Sequence, residues 1–146
     1  DSCLIGDNLA TNAGGNKAVR YGTTRHQVYA VEVVLPTGKI TTLGAPLKKC
    51  STGFCLEQLI IGSEGTLGII TKATLKLVPL CPFRLDVLAV FTDLGKATDL
   101  VPQLVKAGLN PTSVEFMDNN FVRSACDYSE VKLPHYEDGF YDRSVQ

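Results

Sequence analysis

Two short runs hold the residues best able to do chemistry: Ala10-Thr11-Asn12-Ala13-Gly14-Gly15, and Gly62-Ser63-Glu64-Gly65-Thr66-Leu67-Gly68, about fifty residues further on. In the first run, Asn12, Ala13, Gly14 and Gly15 can turn successive backbone N–H groups toward one point. That makes a nest for an anion or for the electronegative edge of a ring. Glycine suits such a place because a Cβ would block close approach or exclude positive φ. The Asn12 amide adds an acceptor and a donor for a planar heterocycle, and Thr11 adds a hydroxyl. In the second run Gly62 closes a helix and Ser63-Glu64-Gly65 reverses the chain. The N–H and C=O groups of Gly68, Ile69 and Ile70 then open a strand, where backbone bonds alone could read a base or ring. The plainer alternative is that both runs are tight turns and bind nothing. Neither run has the spacing of the dinucleotide fingerprint or of the P-loop.

The remaining candidates are weaker. Arg20 and Arg25 could neutralise a phosphate, or could simply be solvated. His26 and His135 are the two histidines. His26 has no partner at catalytic spacing, so a surface or packing role is the better reading, and no Ser/His/Asp or Cys/His arrangement has local support. No catalytic residue is assigned. The five cysteines, Cys3, Cys50, Cys55, Cys81 and Cys126, are odd in number and form no CxxC pair. Cys50 and Cys55 lack a nearby His and fall short of the four ligands of structural zinc, so no metal site is expected. Unpaired thiols suit a reducing compartment, and the expected location is cytoplasmic.

These runs must be held by elements that the pattern makes visible. Residues 1–27 read as loop with short helical pieces. Val28 to Leu35 is rich in β-branched residues, stops at Pro36-Thr37-Gly38 and resumes as Lys39 to Leu43, which predicts a β-hairpin. Phe54, Leu56, Leu59 and Ile60 predict a short helix with Gly62 as its left-handed stop. From Gly68 the period becomes two: Ile69, Thr71, Ala73, Leu75 and Leu77 share one face of a strand, and Lys72, Thr74 and Lys76 the other. Pro79 and Pro82 mark a linker. Beyond it, "LDVLAVFTD" reads as a strand and Leu94 to Ala107 as a helix stopped by Gly108, with Pro102 expected to kink or delay it. "TSVEFMD" reads as a further strand, and "NNFVRSACDY" as a helix that begins near Asp118 or Asn119.

The 146 residues suffice for one common domain or two small pieces, and 45% hydrophobic with 20% charged residues is an ordinary globular composition. A formal net charge of −1 gives no basic stripe, so no nucleic-acid partner is expected. No apolar run reaches the ~20 residues of a membrane span. A first residue other than Met, without a signal peptide, makes the chain read as a fragment.

"IGDNLATNAGGNKAVRYGTTRHQVYAVEVVLPTGKI", followed by "CSTGFCLEQLIIGSEGTLGIITKATLKLVP", resembles the FAD-linked oxidases of the vanillyl-alcohol oxidase superfamily. The branch is the one that holds the glycolate oxidase FAD subunit, FAD-dependent D-lactate dehydrogenase and D-2-hydroxyglutarate dehydrogenase. The likeness is dense over residues 4–80 and looser through "DVLAVFTDLGKATDLVPQLVKAGLNPTSVEFMD". It implies an α+β fold: residues 1–80 as the second subdomain of a PCMH-type FAD-binding domain, and residues 84–146 as the truncated start of an α+β, ferredoxin-like cap domain for substrate. It implies FAD contacts at Thr11, Asn12, Ala13, Gly14 and Gly15, with Tyr21 and Gly22 nearby, and at Gly62, Glu64, Gly65, Gly68, Ile69 and Ile70. The parent protein would pass a hydride from a small D-2-hydroxy acid, such as glycolate or D-lactate, to flavin N5, and electrons onward to a separate acceptor.

Departures from the family pattern bear on this chain. Asp7 stands where the family usually has Gly, and Phe54-Cys55 where it usually has Tyr-Asp. His135 does not fall in the family's HGDGN-type motif, and no glycine- and serine-rich pyrophosphate loop precedes Asp1. The expectation is therefore that the chain alone binds FAD weakly and catalyses nothing. The alternative is an interaction module, or a truncated product, that docks on a separate flavin-domain half or forms an oligomer through its exposed flavin-side face.

Overall fold

Val28–Val34 (β1) is a run of β-branched and aromatic residues, and it becomes the central strand of a three-stranded antiparallel sheet of order β2-β1-β3. The structure, a computed structural model, describes residues 3–134 and 136, so His135 and the residues beyond 136 lie outside this account. β2 is Ile40–Gly44 and β3 is Ile69–Leu75. The expected hairpin forms: Gly38 adopts φ +82°, its N–H donates to Leu35 O at 2.8 Å, and the Leu35 N–H donates to Lys39 O at 2.9 Å. Four helical pieces complete this part: α1 (Ile5–Thr11), α2 (Ala18–Tyr21), a 3-10 turn (Thr24–Gln27) and α3 (Leu56–Ile60). Asp7 lies in the first turn of α1, where a carboxylate suits the positive end of the helix.

The sheet buries one face. Val28, Val31 and Val33 of β1 pack with Leu9 of α1 and with Ile60 and Ile61 at the end of α3, and Val33 is 0% exposed. Leu35, Leu43, Ile70 and Ala73 close the edges of this core. The inward residues of β3 are therefore Ile70 and Ala73. The single face expected from the period-two pattern, Ile69 through Leu75, is corrected, because β3 carries a bulge. Glu32 pairs with Lys72 but Val33 pairs with Ile70, so Thr71 is an extra residue and the phase reverses across it. Ile69 is left 60% exposed. A second irregularity, between the Val28–Leu75 and Ala30–Thr74 pairs, makes Tyr29 the extra residue on β1. Thr71 Oγ1 pins its bulge by donating to the Glu32 carboxylate at 2.8 Å, and Lys72 Nζ meets the same carboxylate at 3.0 Å. The Lys72 and Thr71 hydrogen bonds hold the Glu32 carboxyl below its ordinary range.

Contacts divide the chain into two compact units, Asp1–Arg84 with Pro111–Ser113, and Leu85–Asn110 with Val114–Gln146. The second unit holds α4 (Leu94–Lys106) and α5 (Asn119–Ser129). Asp93 caps α4 by accepting from the Lys96 N–H at 2.9 Å, and Asp118 caps α5 by accepting from the Phe121 N–H at 2.7 Å. α4 runs through Pro102 to Lys106, and Gly108 stops it at φ +74°. Val122 and Cys126 of α5 are buried against Leu133 and Tyr136. The Tyr136 hydroxyl donates to Asp127 at 2.5 Å, and that neighbouring carboxylate raises the phenol above its usual range. The strands expected at "LDVLAVFTD" and "TSVEFMD" are corrected: among the described residues neither forms a ladder. A β-rich composition makes a strand only where an edge supplies its N–H and C=O partners. Here none does, and Val87 is left 79% exposed.

Two outcomes follow from this packing. At Gly68 a Cβ would sit 2.6 Å from Val33 Cγ1 and 2.9 Å from Val34 O, so Gly68→Ala is expected to cost about 1–3 kcal/mol in urea unfolding by forcing β3 off β1. Because the Glu32 pKa is depressed in the fold, the pair stabilises the chain above the ordinary carboxylate range, and that contribution is lost as pH falls through the lowered value. Lys72→Met is expected to move the Glu32 midpoint upward in a side-chain carboxyl NMR titration.

Candidate functional site

The helices α1 and α3 are short, and each ends with carbonyl groups that it cannot satisfy itself. The sequence brings the two ends together. The Gly62 N–H donates to Leu9 O at 3.0 Å and the Glu64 N–H donates to Ala10 O at 3.0 Å, so the turn after α3 satisfies the last carbonyls of α1. Arg25 Nη2 donates to Ile61 O at the end of α3, at 2.9 Å. The Arg25 N–H donates to Asn12 Oδ1 at 3.0 Å, and Arg25 O accepts from Gln58 Nε2 at 3.2 Å. The two runs that stood about fifty residues apart in sequence thus form one hydrogen-bonded unit.

Within that unit the residues singled out by sequence have different duties. Asn12 takes the left-handed conformation, φ 50° and ψ 49°, that ends α1, and its side-chain oxygen is engaged by Arg25. The Thr11 hydroxyl donates to Asp7 O at 2.8 Å. Ala13 O accepts both the N–H and the hydroxyl of Thr24, at 3.0 and 2.8 Å. Gly62 has φ +86°, and a Cβ there would lie 3.0 Å from Asn12 Cβ and 3.2 Å from Arg25 Nη2. Glu64 and Gly65 form the left-handed reversal, with φ +49° and +82°. Gly68 is held by its close approach to β1, Ile70 packs inward, and Ile69 pairs with Val34 while its side chain stays exposed.

Gly14 and Gly15 differ from these. A Cβ on Gly14 would meet only Thr23 Cγ2, at the ordinary contact distance of 3.4 Å, and one on Gly15 would meet nothing within 4 Å. Neither has positive φ. The N–H groups of Gly14, Gly15 and Asn16 donate to no group among the described residues. This loop, unlike the second run, has glycines that the chain's own packing does not require. Tyr21 and Gly22 follow on the same segment: Tyr21 O accepts from the Gln27 side chain, and the Arg20 guanidinium lies 5.4 Å from the Tyr21 ring centre. Gly22, at φ +74°, gives way to the His26 ring. His26 Nδ1 accepts the Thr23 N–H at 3.1 Å, so this histidine caps the 3-10 turn.

Arg25 is the residue whose role sequence reasoning missed. The sequence offers it as a phosphate partner or a solvated charge, whereas its guanidinium is turned to a backbone carbonyl. No side-chain pattern announces a carbonyl acceptor, so the only available signal was a cation placed between two helix ends. All five cysteines are free, with Cys126 buried and the others exposed. Among the described residues no group of three or more His, Cys, Asp or Glu is placed to hold a metal ion, and no helix is long and apolar enough to cross a membrane.

Comparison with known proteins agrees with both parts of the chain. The family model described as "FAD binding domain" matches residues 1–44, and that described as "FAD linked oxidases, C-terminal domain" matches residues 84–142. D-lactate dehydrogenase of Anaerostipes hadrus is 48% identical over 118 residues, which cover 81% of this chain and 25% of that protein. Glycolate oxidase subunit GlcD of Bacillus subtilis (strain 168) is 38% identical over 130 residues, 89% of this chain and 28% of that protein. Among solved structures, alkyldihydroxyacetonephosphate synthase matches with a TM-score of 0.63 at 28% identity, covering 82% of this chain and 21% of that one. The chain spans 25–28% of the length of these two curated relatives. With both family models matched in order and the mixed helix and antiparallel-sheet fold that accompanies them, the chain belongs to the FAD-linked oxidases, an α+β family whose cofactor is FAD.

Proposed function

We propose that the loop from Thr11 to Gly15, with Tyr21 and Gly22 beside it, forms one wall of an FAD site, and that the Gly62–Ile70 segment forms the adjoining wall. The observation that carries this reading is the run of free N–H groups at Gly14, Gly15 and Asn16, on glycines that nothing in the chain crowds. Such donors fit a phosphate oxygen or the oxygen- and nitrogen-bearing edge of a flavin ring, and the absent Cβ atoms leave room for it. The residues present therefore fit the cofactor. Thr11, Asn12 and Ala13 shape the approach, because their own hydrogen bonds fix the loop. Gly62, Glu64 and Gly65 hold the second wall against the end of α1. β3 is an edge strand, so backbone groups of Gly68, Ile69 and Ile70 on its open side are available to the adenine end.

FAD supplies the two-electron acceptor of the reaction, and the protein's part is to orient it. We infer a parent enzyme that oxidises a small D-2-hydroxy acid, a reading supported by relatives named D-lactate dehydrogenase and glycolate oxidase. The solved neighbour is named a synthase, so the substrate reading rests on these sequence relatives and not on fold. One observation favours a second reading, in which this face docks another polypeptide or a second copy. Ile40, Val34 and Ile69 stand side by side across the three strands, with Ile40 and Ile69 63% and 60% exposed.

FAD titration of the chain, followed by flavin fluorescence, is expected to saturate in the micromolar range. Gly15→Val is expected to weaken binding at least about tenfold, equal to ~1.4 kcal/mol, while unfolding stability stays within about 0.5 kcal/mol of the unaltered chain. Absence of saturation up to about 1 mM FAD overturns the reading for this chain. A dimer in sedimentation that FAD does not alter favours the docking reading. The substrate part is read in a polypeptide of the relatives' length that carries this sequence: dye reduction by D-lactate or glycolate, and none by L-lactate, is the expected result.

A further inference from the structure

We propose that Arg25 is a positioning residue for the flavin site, acting as the tie that fixes the spacing between its two walls; the proposal rests on the FAD reading above. Arg25 lies in neither glycine run, yet it is bonded to the first and to the residue that leads into the second. Its N–H holds Asn12 Oδ1 on the first run at 3.0 Å, and its Nη2 holds Ile61 O, immediately before the second, at 2.9 Å. Its carbonyl accepts from Gln58 of α3, so backbone and side chain together grip the end of that helix.

The surroundings are cut to admit the guanidinium. Gly62 leaves Nη2 the space that a Cβ, 3.2 Å away, would contest. The carbonyl ends of α1 and α3 both carry partial negative charge, and a cation between them is favoured by both. Nε is buried and donates to no group among the described residues, a cost that a side chain serving only to fill volume would not bring. Lengthening or breaking this tie leaves the turn at Gly62–Glu64 held to α1 by its own N–H bonds to Leu9 O and Ala10 O alone, and so loosens it. The open N–H groups at Gly14–Asn16 and the open edge of β3 then lose their fixed separation. A ligand that must touch both walls would bind a broader set of geometries, each less well. Arg25 touches neither wall's free donors, and it acts through Asn12 and Ile61.

The test compares Arg25→Met, which keeps the stem and removes every donor, with Arg25→Lys, which keeps the charge and one donor. Amide hydrogen exchange is read without FAD at Gly62 and Glu64, with Val31 and Val33 as the control for the sheet. FAD affinity and the visible circular dichroism of bound FAD are read separately. In Arg25→Met, exchange at Gly62 and Glu64 is expected to quicken about tenfold with the sheet unchanged, in line with losing a charged hydrogen bond. FAD affinity is expected to fall about tenfold with an altered flavin circular dichroism band, and Arg25→Lys to restore both to within about threefold. Unchanged exchange at Gly62 in Arg25→Met overturns the proposal. Quickened exchange with unchanged FAD affinity and circular dichroism also overturns it, leaving Arg25 a structural residue only. If Arg25→Met loses the sheet protection too, Arg25→Lys decides, and failure to keep protection and FAD affinity counts against the tie. If the unaltered chain binds no FAD, the flavin reading falls and the proposal with it. The exchange result then shows whether the tie between the two runs stands without the cofactor.

Discussion

Two helix ends that must borrow hydrogen-bond donors from outside themselves govern this part of the molecule. A helix of five or seven residues leaves a large share of its carbonyls without intrahelical donors, and water cannot reach those turned toward the core. The chain supplies them from two places, with the turn after α3 serving α1 and Arg25 of the 3-10 turn serving α3. Much else follows from that arrangement. Leu9, Ile60 and Ile61 are carried by the same helix ends and cover the inner face of the sheet. The same ends determine where the two glycine runs stand. Core and candidate site therefore share one set of supports.

What the sequence made legible is what depends on local chemistry. The β-branched run broken by Pro36-Thr37-Gly38 could be read as a hairpin because strand and turn preferences agree there. The start of α5 near Asp118 and the glycine stop at Gly108 were legible for the same reason, whereas the Asp93 cap of α4 lay hidden in a segment of strand composition. The face of β3 was not. Thr71 is an ordinary strand residue by composition, and only its partner on β1 decides that it is the extra one. The apolar segments around Val87 and Ser113 have strand composition too, but pairing is non-local and no single segment states whether a neighbour will meet it.

The candidate site divides along the same line. Glycines are visible in a sequence, but their reasons are not. Gly62 answers to Asn12 and Arg25, and Gly68 answers to Val33 and Val34, partners that only the fold supplies. Gly14 and Gly15 answer to nothing within the chain, and that contrast separates a turn from a surface left bare. The two family matches add what spacing could not, since neither run has a general ligand-binding signature.

The two extra residues in the β1–β3 pair, Tyr29 and Thr71, have a consequence for inheritance. They lie on opposite strands, and one undoes the slip that the other introduces, so the Val28–Leu75 and Val34–Ile69 pairs keep a common alignment. Deleting either residue alone would close its own bulge and leave every neighbouring pair facing as it does, whereas deleting a paired residue such as Lys72 would turn part of the strand inside out. Deleting both would leave a shorter ladder still in phase. Length changes on these strands can then survive at the two unpaired positions and not at their paired neighbours, although some forty residues of chain separate the two sites.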